Sequence, residues 1–218
     1  MKYIERAVKA DILKKLQPGK VVVLLGARRT GKTVLLKKLM KNFTEPILKL
    51  NGEDYRTAEL FRDKGIVEYK QLLGNKRLLI IDEAQKVEGI VRVLKLMVDE
   101  IEGLKILVTG SSAFDLNNKL GEPLTGRKHT VKLYPIAQCE WENYENLIET
   151  RSLLERRMIY GNYPELIHLQ DNSEMAEHLY EMVGSYLLKD ILELDNIKSS
   201  AKLFNILRLL AFQVGHNV

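Results

Sequence analysis

The sequence has one cysteine, Cys139. That excludes an internal disulfide framework and a zinc finger, and it fits a reducing cytosol. Long apolar runs are missing too: the longest, residues 21–25 and 78–81, fall far short of the about 20 residues needed to cross a bilayer. No membrane role is expected. Residues 1–16 mix Lys2, Glu5, Arg6, Lys9, Asp11, Lys14 and Lys15 among their apolar positions, so there is no secretory signal and the expected location is cytoplasmic. Neither sign of charge dominates, with 34 Lys and Arg against 29 Asp and Glu. Nucleic-acid binding usually shows as basic residues clustered on one face. Of the densest run, Lys32, Lys37, Lys38 and Lys41, part belongs to the motif described below and the rest reads more simply as a solvated helix face. His129, His168, His178 and His216 form no metal-ligand pattern. Against these absences stands an ordinary globular balance of 45% hydrophobic and 29% charged residues in 218, enough for one large domain or two small ones.

The pattern along the chain alternates. Ile4, Val8, Ile12 and Leu16 recur every four residues and predict a leading amphipathic helix, stopped by Pro18-Gly19. Short apolar runs at 21–25, 46–50, 78–81 and 104–109 have the length of strands buried on both faces, and a fifth is expected at 131–133. Helical stretches at 34–41, 57–73 with a break at Gly65, and 87–102 lie between them. Strand and helix in alternation imply crossover connections, so the expected fold is α/β, a doubly wound parallel five-stranded sheet. After Pro135 the chain reads as helix with short breaks, giving a small all-helical lid beyond a boundary near Glu149.

Chemistry concentrates in a few places. Gly26-Ala27-Arg28-Arg29-Thr30-Gly31-Lys32-Thr33 fits G-x-x-x-x-G-K-[ST] directly after a buried strand and before a helix that continues with Val34. This is the context a phosphate-binding loop requires. Backbone N–H groups would curl around phosphate oxygens at a helix amino terminus. Lys32 would reach the β- and γ-phosphates, and the Thr33 hydroxyl would ligate Mg2+. Residues 78–83 deliver Asp82 and Glu83 at the carboxyl end of an apolar strand, Asp82 to hold the metal through water and Glu83 to polarise an attacking water. The second acid favours hydrolysis over phosphorylation of a small molecule. Asn118-Lys119-Leu120-Gly121 lacks the carboxylate that would read guanine, so ATP is expected as the nucleotide and ADP as the product.

Thr109-Gly110-Ser111-Ser112 ends the fourth strand, which this layout places between the loop strand and the Asp82 strand. Ser111 and Ser112 are open to two readings, a contact to the γ-phosphate or water, and a cap on the next helix. Arg127, before the fifth strand, is a candidate for the guanidinium that stabilises charge on the γ-phosphoryl oxygens.

In order, residues 26–33, the Asp82-Glu83-Ala84-Gln85 element, Thr109-Gly110-Ser111-Ser112, Gly126-Arg127 with Leu133-Tyr134-Pro135, and Gly161-Asn162-Tyr163-Pro164-Glu165 resemble the AAA-type ATP-binding proteins of bacteria and archaea related to the signal-transducing (STAND) ATPases. The resemblance implies an ATPase core over 1–149, a helical lid over 150–200, and the first helix of a winged-helix domain over 201–218. In the family a restriction-endonuclease-like domain often follows. It further implies Ser111 or Ser112 as phosphate sensor, Arg127 as finger in its own site or a neighbour's, hence self-association through Arg127, and Tyr163-Pro164 packed near the adenine and ribose. A DNA-associated or signalling assembly is the implied partner, with DNA contact by these residues at most weak. Residues 201–214 are apolar on nearly every side of a helix, so a covering layer beyond residue 218 is expected.

Overall fold

The computed structural model describes residues 3–62, 64–111, 124–184 and 200–213. They fall into two compact units, Met1–His168 and Leu169–Val218. In the first, α1 (Val8–Lys15) leads to β1 (Val21–Leu25), α2 (Lys32–Met40), β2 (Ile47–Asn51), α3 (Tyr55–Phe61), α4 (Ile66–Leu73) and β3 (Leu78–Asp82). A short 3-10 turn, Ala84–Lys86, precedes α5 (Ile90–Glu100), β4 (Lys105–Gly110), β5 (Lys128–Lys132) and α6 (Leu147–Tyr160). The five strands form one parallel sheet in the order β2-β3-β4-β1-β5. The α/β doubly wound architecture is therefore as the sequence predicts, with β4 between β1 and β3.

The sheet is sandwiched because its central strands have no polar face. All five residues of β1 and all five of β3 are buried. Alternate residues point to opposite sides: Val21, Val23 and Leu25 join Phe61, Tyr69, Leu73, Leu94 and Met97 of α3, α4 and α5, while Val22 and Leu24 join Ile12, Leu16, Leu35, Leu36 and Leu39 beneath α1 and α2. Each such side chain contributes about 1.5–3 kcal/mol on burial, which outweighs the weak local preferences of short segments. The edge strands β2 and β5 are only partly buried.

Helix ends depart from the periodicity for identifiable reasons. The leading helix starts at Val8 and not near Ile4, because the Arg6 side chain and the Ala7 N–H are taken by Glu140. The stretch 57–73 divides into α3, where the Asp54 side chain accepts from Arg56 N at 3.0 Å, and α4, where Glu68 accepts from Gly65 N. At α6, Asn146 Oδ1 accepts from Ile148 N and Glu149 N, and Glu149 accepts from Asn146 N, a reciprocal cap. None of the α6 residues is buried.

The second unit contains α7 (Asn172–Met182) and α8 (Ser200–Gln213). On α8, Phe204, Ile206, Leu209, Leu210 and Phe212 are exposed. The helices at 147–160 and 164–168, which overlap the expected lid span 150–200, fall within the first unit.

Candidate functional site

In a parallel sheet, ligands meet the carboxyl ends of the strands. Three chain turns converge there: the loop after β1, Asp82-Glu83 after β3, and Thr109-Gly110-Ser111 at the end of β4. Gly110 O accepts from Gly26 N, tying the first turn to the third.

The loop folds back on itself. Gly31, at φ 94 in the left-handed region that L side chains rarely adopt, caps α2 and lets the chain turn straight into the helix. Lys32 is 5% exposed, and its Nζ donates to Gly26 O at 2.9 Å and Ala27 O at 3.0 Å. Thr30 Oγ1 donates to Ala27 O. Arg29, also at positive φ, pairs with Glu165 at 2.8 Å. A Cβ at Gly31 would lie 3.8 Å from Pro164 Cγ, so the Tyr163-Pro164-Glu165 segment stands against the loop. Burial pushes the Tyr163 hydroxyl pKa up, keeping it protonated. Arg28 is partly exposed on the loop, and Val34, in the first turn of α2, is 48% exposed.

The acids are held tightly. Thr33 Oγ1 donates to Asp82 Oδ2 at 2.8 Å, and Thr109 Oγ1 donates to Asp82 Oδ1 at 2.5 Å while accepting from Glu83 N at 2.9 Å. Glu83 has φ 51. Among the described residues only Arg29 and Glu83 are non-glycine residues at positive φ, and both lie here, where strained backbone tends to collect. A third residue makes the Glu83 geometry feasible. A Cβ at Gly52 would collide with Glu83 O, and Gly52 N donates to Asp82 O at 2.7 Å. Gly52→Ala is therefore expected to cost about 1–3 kcal/mol by overpacking, because the Glu83 backbone must shift to admit the methyl group. Urea melts check it.

Arg127 is not brought to this site. It precedes β5 at the amino-terminal end of the sheet, where its carbonyl accepts from Val21 N and its Nε pairs with Asp99 at 2.6 Å. The five residues of β1 separate it from the loop, about 16 Å at strand rise. Of the two places the sequence left open for this finger, its own site and a neighbour's, this position does not serve the first: sequence order before a strand does not reveal which end of the sheet the residue occupies. Of the two serines, Ser111 follows β4 at the correct end, and Ser112 lies outside the described residues, as do Asn118-Lys119-Leu120-Gly121. The hydroxyl that reaches both acids belongs to Thr109, the fifth residue of β4. Its signal in the sequence was a hydroxyl directly after the apolar run Ile106-Leu107-Val108. Arg157 lies over the Trp141 ring at 4.2 Å and pairs with Glu145.

Sequence reading also missed Arg6. It is 6% exposed. It donates to Thr30 O at 2.8 Å, to Tyr134 O and to Glu140 Oε2 at 3.1 Å, bracing the loop from behind.

The Thr33 hydroxyl and Asp82 carboxylate are hard oxygen donors of the kind Mg2+ takes. Among the described residues there is no group of three or more His, Cys, Asp or Glu side chains that could hold a metal ion. A donor set this small suits an ion that completes its shell with water and phosphate oxygens. No helix among the described residues is long and apolar enough to cross a membrane.

Comparison with known proteins places this geometry in context. A family model described as an AAA domain matches residues 18–142, and a domain of unknown function matches residues 151–218. An uncharacterised protein of Methanocaldococcus jannaschii is 28% identical over 93% of this chain and 49% of its own length. One from Haemophilus influenzae is 28% identical over 91% and 52%. The chain thus spans about half the length of these curated relatives. Among solved structures, the Walker-type ATPase of Pyrococcus abyssi superposes with a TM-score of 0.55 at 17% identity, covering 88% of this chain and 75% of that one, a likeness of fold.

Proposed function

The chain belongs to the AAA domain family, and from that premise we propose that it binds Mg-ATP at the Gly26-to-Thr33 loop and hydrolyses it slowly, with conformational change as the output. The observation that carries this reading is the Thr33 Oγ1 to Asp82 Oδ2 hydrogen bond, which joins the end of the phosphate loop to the acid after β3. Mg2+ bound there would neutralise phosphate charge. Thr33 and Asp82 would hold it, and the loop N–H groups with Lys32 would take the phosphate oxygens. For that, Lys32 must exchange the Gly26 and Ala27 carbonyls for phosphate, a neutral acceptor for a charged one. Glu83 would orient and deprotonate water. Ser111, and Ser112 with it, would sense the γ-phosphate beside Thr109, and Tyr163-Pro164 would border the nucleotide. Arg127 is available only to the nucleotide of a second copy, since its own lies at the far end of the sheet. The STAND relationship, the core, lid and winged-helix divisions at 1–149, 150–200 and 201–218, and contact with DNA belong to the same proposal.

Phosphate release from ATP, measured with Mg2+ and again with EDTA, tests it. Release that requires Mg2+ and is much faster with ATP than with GTP is expected. Absence of ATP binding in calorimetry at any Mg2+ concentration would overturn the reading.

A further inference from the structure

Gln85 lies two residues beyond Glu83 in the 3-10 turn Ala84–Lys86. Its Nε2 donates to Glu83 Oε2 at 2.6 Å. The amide orientation follows from chemistry: an ionised carboxylate only accepts, so nitrogen must face it. The same amide carries Oε1, which is buried and meets no hydrogen-bond donor among the described residues.

The surroundings show how little freedom Glu83 has. Thr109 holds its N–H, and Asp82 O, one residue before, accepts from Gly52 N. Glu83's backbone sits at φ 51 with no space for a Cβ at Gly52. What these contacts leave loose is the side chain, and Gln85 fixes one of its two oxygens.

We propose that Gln85 is a positioning residue for hydrolysis, holding Glu83 Oε2 with its nitrogen so that Glu83 Oε1 is fixed toward the attacking water. Glu83 Oε1 then takes one water proton, and the water lone pair is left for the γ-phosphorus. The water oxygen bonds to that phosphorus, and the bond from the phosphorus to the β,γ-bridging oxygen breaks with its electron pair passing to ADP. One water proton goes to Glu83 and the other stays on the phosphate released. Gln85 gains and loses nothing. The inference rests on the reading of Glu83 above and adds to it the residue that aims its carboxylate.

Gln85→Met tests it, since methionine keeps the length and removes both donor and acceptor. The expected result is a fall in kcat of about tenfold to a hundredfold. KM for ATP and the calorimetric Kd for a non-hydrolysable ATP analogue stay within about twofold, because only the attack geometry is lost. Added to Glu83→Gln, the same substitution should lower kcat no further, as residues acting as a unit are not additive. Gln85→Glu, which loses the donor and sets a like charge beside Glu83, should be at least as slow. Parent kcat in Gln85→Met or Gln85→Glu overturns the proposal. So does a kcat loss matched by equal losses of nucleotide affinity and thermal stability. Glu83→Gln separates the two readings. If it turns over at the parent rate, the role of Glu83 itself fails; if it is inactive while Gln85→Met is normal, only the role of Gln85 fails.

Discussion

Under the proposed function, Lys32→Ala is expected to weaken ATP binding by roughly thirtyfold or more, and Glu83→Gln to bind ATP as the parent does while releasing phosphate at least about a hundredfold more slowly. The proposal gives the two residues different parts, binding for Lys32 and water activation for Glu83. Lys32 is the buried cation of the loop, with its Nζ on Gly26 O and Ala27 O. Each charged hydrogen bond it would form to phosphate contributes about 1.5–3 kcal/mol, and about 1.4 kcal/mol is a factor of ten in affinity. Removing it also frees two carbonyls that would otherwise have to be held away from the anion. Glu83, by contrast, touches no loop atom by hydrogen bond in the structure; its N–H and carboxylate are engaged by Thr109 and Gln85. Glutamine preserves that shape and removes the base. Calorimetry with ATP and a phosphate-release assay on both variants decide the matter. Turnover at the parent rate in Glu83→Gln would mean that water is activated by something else.

Glu140→Ala is expected to be the most destabilising single change near the site, by about 3–5 kcal/mol, because it leaves a buried cation without its counter-charge. Arg6 and Glu140 side chains are 5% and 4% exposed, with Nε and Oε2 3.1 Å apart. Glu140 also accepts from Ala7 N at 2.7 Å and Ala137 N at 2.9 Å, so alanine would orphan two further donors. For a domain of this size each kcal/mol is worth about 2–4 °C, which puts the expected fall in Tm at about 6–20 °C. The loop should loosen as well, since Arg6 is what holds the Thr30 carbonyl. Replacing both partners by methionine should recover much of the loss, because an apolar pair of similar volume carries no unpaired charge. Thermal and urea melts of the single and double variants check this. A loss below about 1 kcal/mol in Glu140→Ala would show that the buried pair is not what fastens the amino-terminal segment.

Much of the fold is legible locally. A run such as Val21-Val22-Val23-Leu24-Leu25 has no polar face to expose, so it must be covered on both sides, and the helices alternating with such runs supply the cover. The glycines of the loop and the Lys32-Thr33 pair announce themselves because a turn between strand and helix constrains a few adjacent residues. The same holds for Asp82 and Glu83 at the end of an apolar strand. The layout expected with the phosphate loop and the Asp82 strand placed β4 between β1 and β3, as the sheet shows.

Other features depend on residues far apart in sequence. Arg6 lies 134 positions from Glu140 and 24 from Thr30, and one arginine in a seemingly helical stretch carries no mark of which distant acid will bury it. Thr109 is 27 positions from Asp82, and only the lateral pairing of β3 with β4 makes them neighbours. Arg127 shows the converse, for nearness to the fifth strand says nothing of which sheet end it occupies, and the parallel pairing of Val21 with Lys128 sets it at the end away from the loop. The sequence alone determined the α/β class and the local motifs, because periodicity and turn chemistry act over a few residues. Tertiary structure alone decided which side chains brace the loop, hold the acids and stand apart from them, because those contacts form only when strand register and buried charge bring distant residues together.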